Sequence, residues 1–135
     1  MDRVRKMFEA HPSPASDAGE EAFALVTSAT ECMLVCTTCA DACLEEDDPS
    51  SLRECIRLNQ DCADVCQATA RLIARPGEQA PALLQAQLDA CAAACRACAD
   101  DCEKHASKHE HCGTCAESCR ECAQACDRMK AALVA

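Results

Sequence analysis

The chain has sixteen cysteines in 135 residues. Their number and spacing make them the residues best suited to carry chemistry in this protein. Nine of them fall between Cys91 and Cys126, and successive ones are three or four apart except before Cys112. This spacing lines one face of an α-helix, along the a/d row that faces a partner helix in a bundle. A buried cysteine can simply fill space, but it covers much less apolar area than leucine. A continuous row therefore favours metal or thiol chemistry over packing.

The elements that must position these thiols are predicted to be helices. Abundant Ala, Glu, Gln and Arg, with only three glycines, favour an all-α protein. Four long helices are expected to start at an Asp17–Glu20 capping box, at Pro49 or a Ser51–Glu54 box, at Pro81, and at a Ser107–Glu110 box. The first should end near residue 46. Short connections then predict an antiparallel up-down-up-down four-helix bundle.

The chain is short enough to form one domain, residues 1–135. Residues 1–12 are expected to form a short amphipathic helix, ended by Pro12 and Pro14, and residues 17–133 to form the bundle. Two phenylalanines and no tryptophan or tyrosine leave few large side chains for a core.

Antiparallel stacking of the four rows predicts a layered core that contains every cysteine. From one end, the layers are Cys43, Cys55, Cys102 and Cys112; Cys39, Asn59, Cys98 and Cys115; Cys36, Cys62, Cys95 and Cys119; and Cys32, Cys66, Cys91 and Cys122. Cys126 follows with Ala29, Thr69 and Leu88, and then Leu25, Ile73, Leu84 and Met129. The bundle should therefore have one end lined by thiols, near His105, His109 and His111, and an apolar end.

The net charge and the distribution of apolar residues limit the binding partners and the cellular location that we expect. A formal net charge of −10 disfavours nucleic acid and anionic membranes. We find no apolar run long enough to span a bilayer and no secretory h-region, so we expect a cytoplasmic protein without a membrane partner. Cytosolic thiols stay reduced, which favours metal ligands over disulfides. The sequence shows no nucleophile with an orienting base and no acid–base pair, so we expect no enzymatic activity.

Thiolates select Cu(I), Zn(II) or iron–sulfur clusters. Zinc sites and iron–sulfur clusters use compact sets of four ligands, and a long column of thiols exceeds that need. One Cu⁺ per thiolate would also avoid a core full of negative charge. Storage of many Cu(I) ions is the interpretation that uses every thiol. The alternatives are a thiol-rich redox or iron–sulfur electron-transfer protein, and a purely structural bundle.

The sequence resembles the cytosolic copper storage proteins, which are cysteine-rich four-helix bundles that hold Cu(I) in their core. The matching segments are CTTCADACLEEDD from Cys36, CIRLNQDCADVC from Cys55, CAAACRACADDCEKHASKHEHC from Cys91 and CAESCRECAQAC from Cys115. The resemblance implies Cu(I) storage by core cysteines, copper uptake at the histidine-bearing end, and a homotetramer. Leu25 and Ala29 stand where richer members carry cysteines, which implies a lower capacity.

The predicted metal ligands are the sixteen cysteines and three histidines. They are Cys32, Cys36, Cys39, Cys43, Cys55, Cys62, Cys66, Cys91, Cys95, Cys98, Cys102, Cys112, Cys115, Cys119, Cys122, Cys126, His105, His109 and His111. His105 continues the cysteine row three residues beyond Cys102, so we expect it to be a ligand. His109 and His111 could equally be ligands or solvated turn residues. The sequence also leaves open whether Asn59, His11, Met33 or Met129 contribute.

Overall fold

The computed structural model describes residues 1–13 and 18–133, and the regular elements in those ranges are all helical. The helices are α1 (Asp2–Ala10), α2 (Gly19–Leu44), α3 (Arg53–Ile73), α4 (Pro81–His105) and α5 (Glu110–Leu133), with a 3₁₀ turn at Pro49–Leu52. Each long helix packs against two others, in the pairs α2–α3, α3–α4, α4–α5 and α5–α2. The predicted all-α four-helix bundle with a short N-terminal helix is confirmed.

One of the predicted helix starts is confirmed and two are wrong. Pro81 lies in the first turn of α4, as expected for a residue without a backbone N–H. The Ser51–Glu54 box is wrong, because Ser51 Oγ donates to the Asp48 carbonyl oxygen at 2.8 Å and a 3₁₀ turn precedes α3. The Ser107–Glu110 box is also wrong, since α5 begins at Glu110 and Ser107 is not adjacent to it. Short polar side chains can satisfy turns as readily as helix ends. Pro14 and Asp17 lie outside the described residues.

Surface ion pairs join α4 to the antiparallel α5. Arg120 lies 2.7 Å from Glu103 and 3.2 Å from Asp100, and Lys130 contacts Asp89 near the other end. Exposed pairs of this kind contribute only about 0–1 kcal/mol each. Together they favour the register that sets the cysteine rows of α4 and α5 side by side.

The apolar end of the bundle, called here the closed end, is built from Leu25, Ile73, Leu84 and Met129, all buried. Helix α1 lies over this end, with the Phe8 and Phe23 rings edge to face at 6.1 Å. A cleft of about 350 Å³ remains between α1 and the bundle, lined in part by Phe8, Ile73, Leu84 and Met129. The predicted apolar plug is therefore present and is roofed by the N-terminal helix.

Helix α2 is the exception to the expectation that no apolar run could span a bilayer. By length and composition alone, Gly19–Leu44 passes that test, so the expectation was wrong for this segment. The apolar character comes partly from cysteine and alanine, and the buried side of α2 packs against α3 and α5. A core helix passes the same test, so the observation is weak evidence for a membrane span.

Candidate metal centre

The sixteen cysteines form one continuous buried column along the bundle axis, called here the thiol column. All of them are free thiols, and each is at most 2% exposed. All four long helices contribute cysteines to the column. In each helix, cysteines spaced three or four residues apart lie on the buried face. The structure thus brings every predicted cysteine ligand into a single core.

Sulfur atoms from different helices approach closely at the centre of the column. Cys36 Sγ lies 3.5 Å from Cys119 Sγ, and Cys62 Sγ lies 3.7 Å from Cys95 Sγ. Cys66 Sγ lies 3.9 Å from Cys122 Sγ and 4.0 Å from Cys91 Sγ. Sets of four sulfur atoms lie within 4.8 Å of one another, for example Cys32, Cys36, Cys62 and Cys119. A soft metal ion can therefore find two or three thiolate ligands almost anywhere along the axis.

The layers are interlocked rather than flat. On α2, Cys36 lies 3.5 Å from Cys119, its predicted partner, and 3.7 Å from Cys115 in the next layer towards the histidine-bearing end. Cys32 likewise lies 3.7 Å from Cys119, and it groups with its predicted partner Cys122 within 4.8 Å. On α3 and α4, the predicted pairs Cys55–Cys102 and Cys62–Cys95 are found at 3.4 and 3.7 Å. The α2 cysteines thus lie between successive α5 cysteines, so neighbouring layers share sulfur atoms.

Asn59 is fully buried inside the thiol column, in the layer predicted for it. Its Oδ1 accepts hydrogen bonds from Cys98 Sγ at 3.1 Å and Cys115 Sγ at 3.0 Å, and its Nδ2 donates to Cys55 Sγ at 3.5 Å. A buried amide needs such partners to offset its desolvation. The contacts place an oxygen donor among three thiols, where it could serve an ion held by them.

The end of the bundle opposite the closed end, called here the mouth, carries the three histidines. His111 Nδ1 lies 3.3 Å from Cys39 Sγ and 3.6 Å from Cys112 Sγ. With Cys43, these atoms form a group of three thiols and one imidazole within 4.8 Å. His109 is linked to the same corner through Glu46, whose Oε2 lies 2.8 Å from His109 Nδ1 and 2.9 Å from His111 Nε2.

His105 has a different environment from that of the other two histidines. Its Nε2 lies 3.8 Å from Asp101 Oδ2, and Lys104 Nζ lies 3.7 Å from Asp101 Oδ1. Asp101 is almost completely buried, and burial raises the pKa of its carboxyl group. The mouth therefore contains two carboxylate–imidazole clusters, and the one nearer the thiols is formed by His111 rather than by His105.

Two thiols near the mouth, Cys43 and Cys112, are held protonated by their surroundings. Burial raises the pKa of Cys43 to about 11, and it also raises the pKa of Cys112. Loss of water disfavours the charged thiolate, and a neighbouring thiolate would repel it. A monovalent soft cation that replaces the proton leaves the net charge unchanged, whereas an empty thiolate would be a buried charge without a partner.

Three other residues left open as ligands have packing or turn contacts. Met129 is buried at the closed end, and Met33 is half-buried against the core. His11 follows α1, where its Nδ1 accepts a hydrogen bond from the Ser13 backbone N–H at 3.0 Å. These contacts account for the three side chains without a metal.

The family model described as copper storage protein matches residues 18–131 of the chain. The chain belongs to the copper storage protein family. The match spans the whole bundle, from the start of α2 almost to the end of α5.

Solved structures of family members superpose closely on this bundle. The copper storage protein Ccsp from Streptomyces lividans, loaded with 10 copper equivalents, is 41% identical with a TM-score of 0.92, covering 95% of this chain and 98% of its own. A structure of a cytosolic copper storage protein from the same organism, with five coppers, is 45% identical with a TM-score of 0.82, covering 85% and 95%. The Cu(I)-bound BsCsp3 of Bacillus subtilis is 34% identical with a TM-score of 0.72, covering 81% and 97%.

Two carboxylates of this copper storage family member were missed by sequence reasoning. Glu46 lies in the acidic EEDD turn, which reads as a solvated charge run, and Asp101 lies beside Cys102 on α4. One signal was available for Asp101, because it is four residues before His105 and so shares a helix face with it. Glu46 had no such signal, since its partners His109 and His111 are brought to it by the docking of α5 against α2.

Proposed function

We propose that this protein stores many Cu(I) ions on the thiolates of its column and takes them up at the mouth. The observation that carries the proposal is the continuity of sixteen buried thiols drawn from four helices. The family and the copper-loaded relatives support it. The proposed ligands are the sixteen cysteines, with His111 and its neighbours His105 and His109 serving in transfer.

The chemistry of the column favours Cu(I) over a divalent ion. A Zn(II) site with four thiolates would carry a formal charge of −2, and N–H groups inside a helix are already hydrogen-bonded to its backbone, so they would not offset that charge. Each Cu⁺ that replaces a thiol proton leaves the net charge of the core unchanged. A fully filled column is therefore possible with Cu(I), whereas the same column filled with Zn(II) would accumulate buried charge.

The two ends of the bundle give uptake a direction. The closed end presents buried Leu25, Ile73 and Met129 beneath α1, with no soft ligand among them except a thioether. The mouth presents imidazoles beside thiols, and an imidazole binds Cu(I) less tightly than a thiolate does. Copper should therefore pass from the histidines inward to the column.

Anaerobic titration of the reduced apoprotein with Cu(I) tests storage directly. We expect binding on the order of one ion per thiol, because every thiol has others within reach. The measurement is protein-bound copper after competition with a Cu(I) chelator. Saturation at one or two equivalents would contradict storage, and visible absorption from the protein as purified would favour the iron–sulfur alternative.

Self-association into a homotetramer and a cytoplasmic location belong to the same proposal. Leu34 and Leu44 on α2 are more than half exposed, which leaves apolar surface for a second copy. Two other apolar side chains of α2 lie beside its cysteine row and are not available to a second copy. Val26 is buried in the core, and Phe23 packs on Phe8. We expect sedimentation equilibrium at micromolar concentration to give four chains per particle. A monomer would contradict the tetramer without affecting storage.

A further inference from the structure

Glu46 lies in the turn after α2 and contacts two histidines with one oxygen atom. Its Oε2 is 2.8 Å from His109 Nδ1 and 2.9 Å from His111 Nε2. The two imidazole rings are stacked, with centroids 5.7 Å apart and planes at 24°. Glu46 borders solvent, so it is a carboxylate at neutral pH. The cluster spans the end of α2 and the start of α5.

A carboxylate can only accept, and the hydrogen bond at His111 Nε2 therefore requires a proton on that nitrogen. His109 Nδ1 makes an ion-pair contact at 2.8 Å, where a bare ring nitrogen would be repelled by the carboxylate, so it carries a proton as well. In the neutral imidazoles, the lone pair then lies on the other nitrogen of each ring, which is Nε2 in His109 and Nδ1 in His111. The same oxygen therefore fixes opposite tautomers in two stacked rings. In His111, the lone pair faces Cys39 Sγ at 3.3 Å and Cys112 Sγ at 3.6 Å.

Carboxylates that orient ligand histidines in this way affect metal handling strongly, typically by 10- to 100-fold in affinity or activity. Here the carboxylate is 31% exposed and its two partners are 21% and 26% exposed, so the cluster borders solvent on one side and the thiol column on the other. His105 has its own carboxylate, Asp101, and does not depend on Glu46.

We propose that Glu46 is a positioning residue for copper uptake, which holds His109 Nε2 ready to receive Cu(I) and holds His111 Nδ1 against Cys39 and Cys112. The inference rests on the proposed storage function. In the last step, the bond from Cu(I) to His111 Nδ1 is replaced by a bond to Cys39 Sγ. The thiol proton moves to the vacated Nδ1, and the Glu46 carboxylate stabilises the resulting imidazolium until the proton leaves to solvent. Copper stays Cu(I) throughout.

The test compares Glu46→Ala and Glu46→Gln with Glu45→Ala. Glu45 is the exposed neighbour, so its replacement removes the same charge from the same turn without touching a histidine. Stopped-flow transfer from a Cu(I) chelator measures loading, and ¹⁵N NMR of the apoproteins measures the tautomers of His109 and His111. Total bound copper measures capacity.

We expect Glu46→Ala to load roughly 10- to 100-fold more slowly, with unchanged capacity and with mixed tautomers at both histidines. Glu46→Gln keeps an acceptor oxygen without the charge, so it should keep more of the parent tautomers and load at an intermediate rate. Glu45→Ala should match the parent. These tautomer changes would not follow from a merely structural role in the turn.

Parent tautomers and a parent loading rate in Glu46→Ala would overturn the proposal. So would a loss of capacity, since that would make Glu46 part of storage itself. Failure of the parent to bind copper would refute the storage function instead, and the tautomers of the apoprotein would still decide whether Glu46 sets the two rings.

Discussion

Loading the reduced apoprotein with Cu(I) should raise its thermal unfolding midpoint by about 20 °C or more. An ion that binds only the folded state at a free concentration 1,000 times its Kd adds about 4.1 kcal/mol, and two such sites would add about 8 kcal/mol. For a domain of this size, 1 kcal/mol corresponds to roughly 2–8 °C. The thiol column offers many sites that exist only when the four helices are assembled.

The apoprotein should already be helical before copper is added. Leu25, Leu52 and Leu88 are fully buried among protein side chains, and each thiol buries less apolar area than a leucine, so the apolar stability comes from the leucines. Far-UV circular dichroism of the apoprotein and melting curves at increasing copper ratios provide the measurement. A Cu(I) chelator should return the midpoint to its starting value. A midpoint that does not move with loading, or a random-coil spectrum without copper, would contradict this account.

The second large effect is expected next to the closed end, from Leu88→Ala in the layer that adjoins it. Leu88 is fully buried beneath Cys91 on α4. Truncating a buried leucine removes its transfer free energy and leaves a cavity, at a cost of about 2–5 kcal/mol. Chemical denaturation of the apoprotein measures the loss. Copper capacity should be unchanged, because Leu88 donates nothing to a soft metal.

Leu83→Ala is the matched control, since Leu83 lies on the same helix and is 55% exposed. It should change the free energy of unfolding by no more than about 0.5 kcal/mol. Leu84→Ala should fall between the two, because Leu84 borders the cleft under α1, which already gives it open space on one side. Equal losses at positions 83 and 88 would show that burial of Leu88 does not carry the apolar stability assigned to it.

The fold and the thiol column could be predicted because they depend on spacing. Cysteines three or four residues apart on a helix share a face whatever the partner helix is, as for Cys91, Cys95 and Cys98. Short connections then leave little choice but an antiparallel bundle. Pro81 fixed a helix start through the geometry of its own ring. Such rules act within one helix or one turn, where sequence distance and spatial distance agree.

The helix starts that failed did so for a related reason. Ser51 and Ser107 each precede an acidic residue by three positions, which is the capping pattern. In the structure, the Ser51 hydroxyl bonds the Asp48 carbonyl oxygen instead, and α5 begins only at Glu110. A serine near a helix start has several backbone partners of similar energy, and the path of the tight turn selects among them.

The sequence by itself determined that sixteen thiols would share one core, that the core would be apolar at one end, and that histidines would gather at the other. Only the tertiary structure decided which histidine meets the thiols. His105 continues the cysteine row yet pairs with Asp101, whereas His111 contacts Cys39, and Glu46 joins His111 to His109. The contacts of His111 with Cys39 and with Glu46 join residues 72 and 65 positions apart. They depend on the axial register of α2 against α5, which follows from how whole helices pack and which no local spacing encodes.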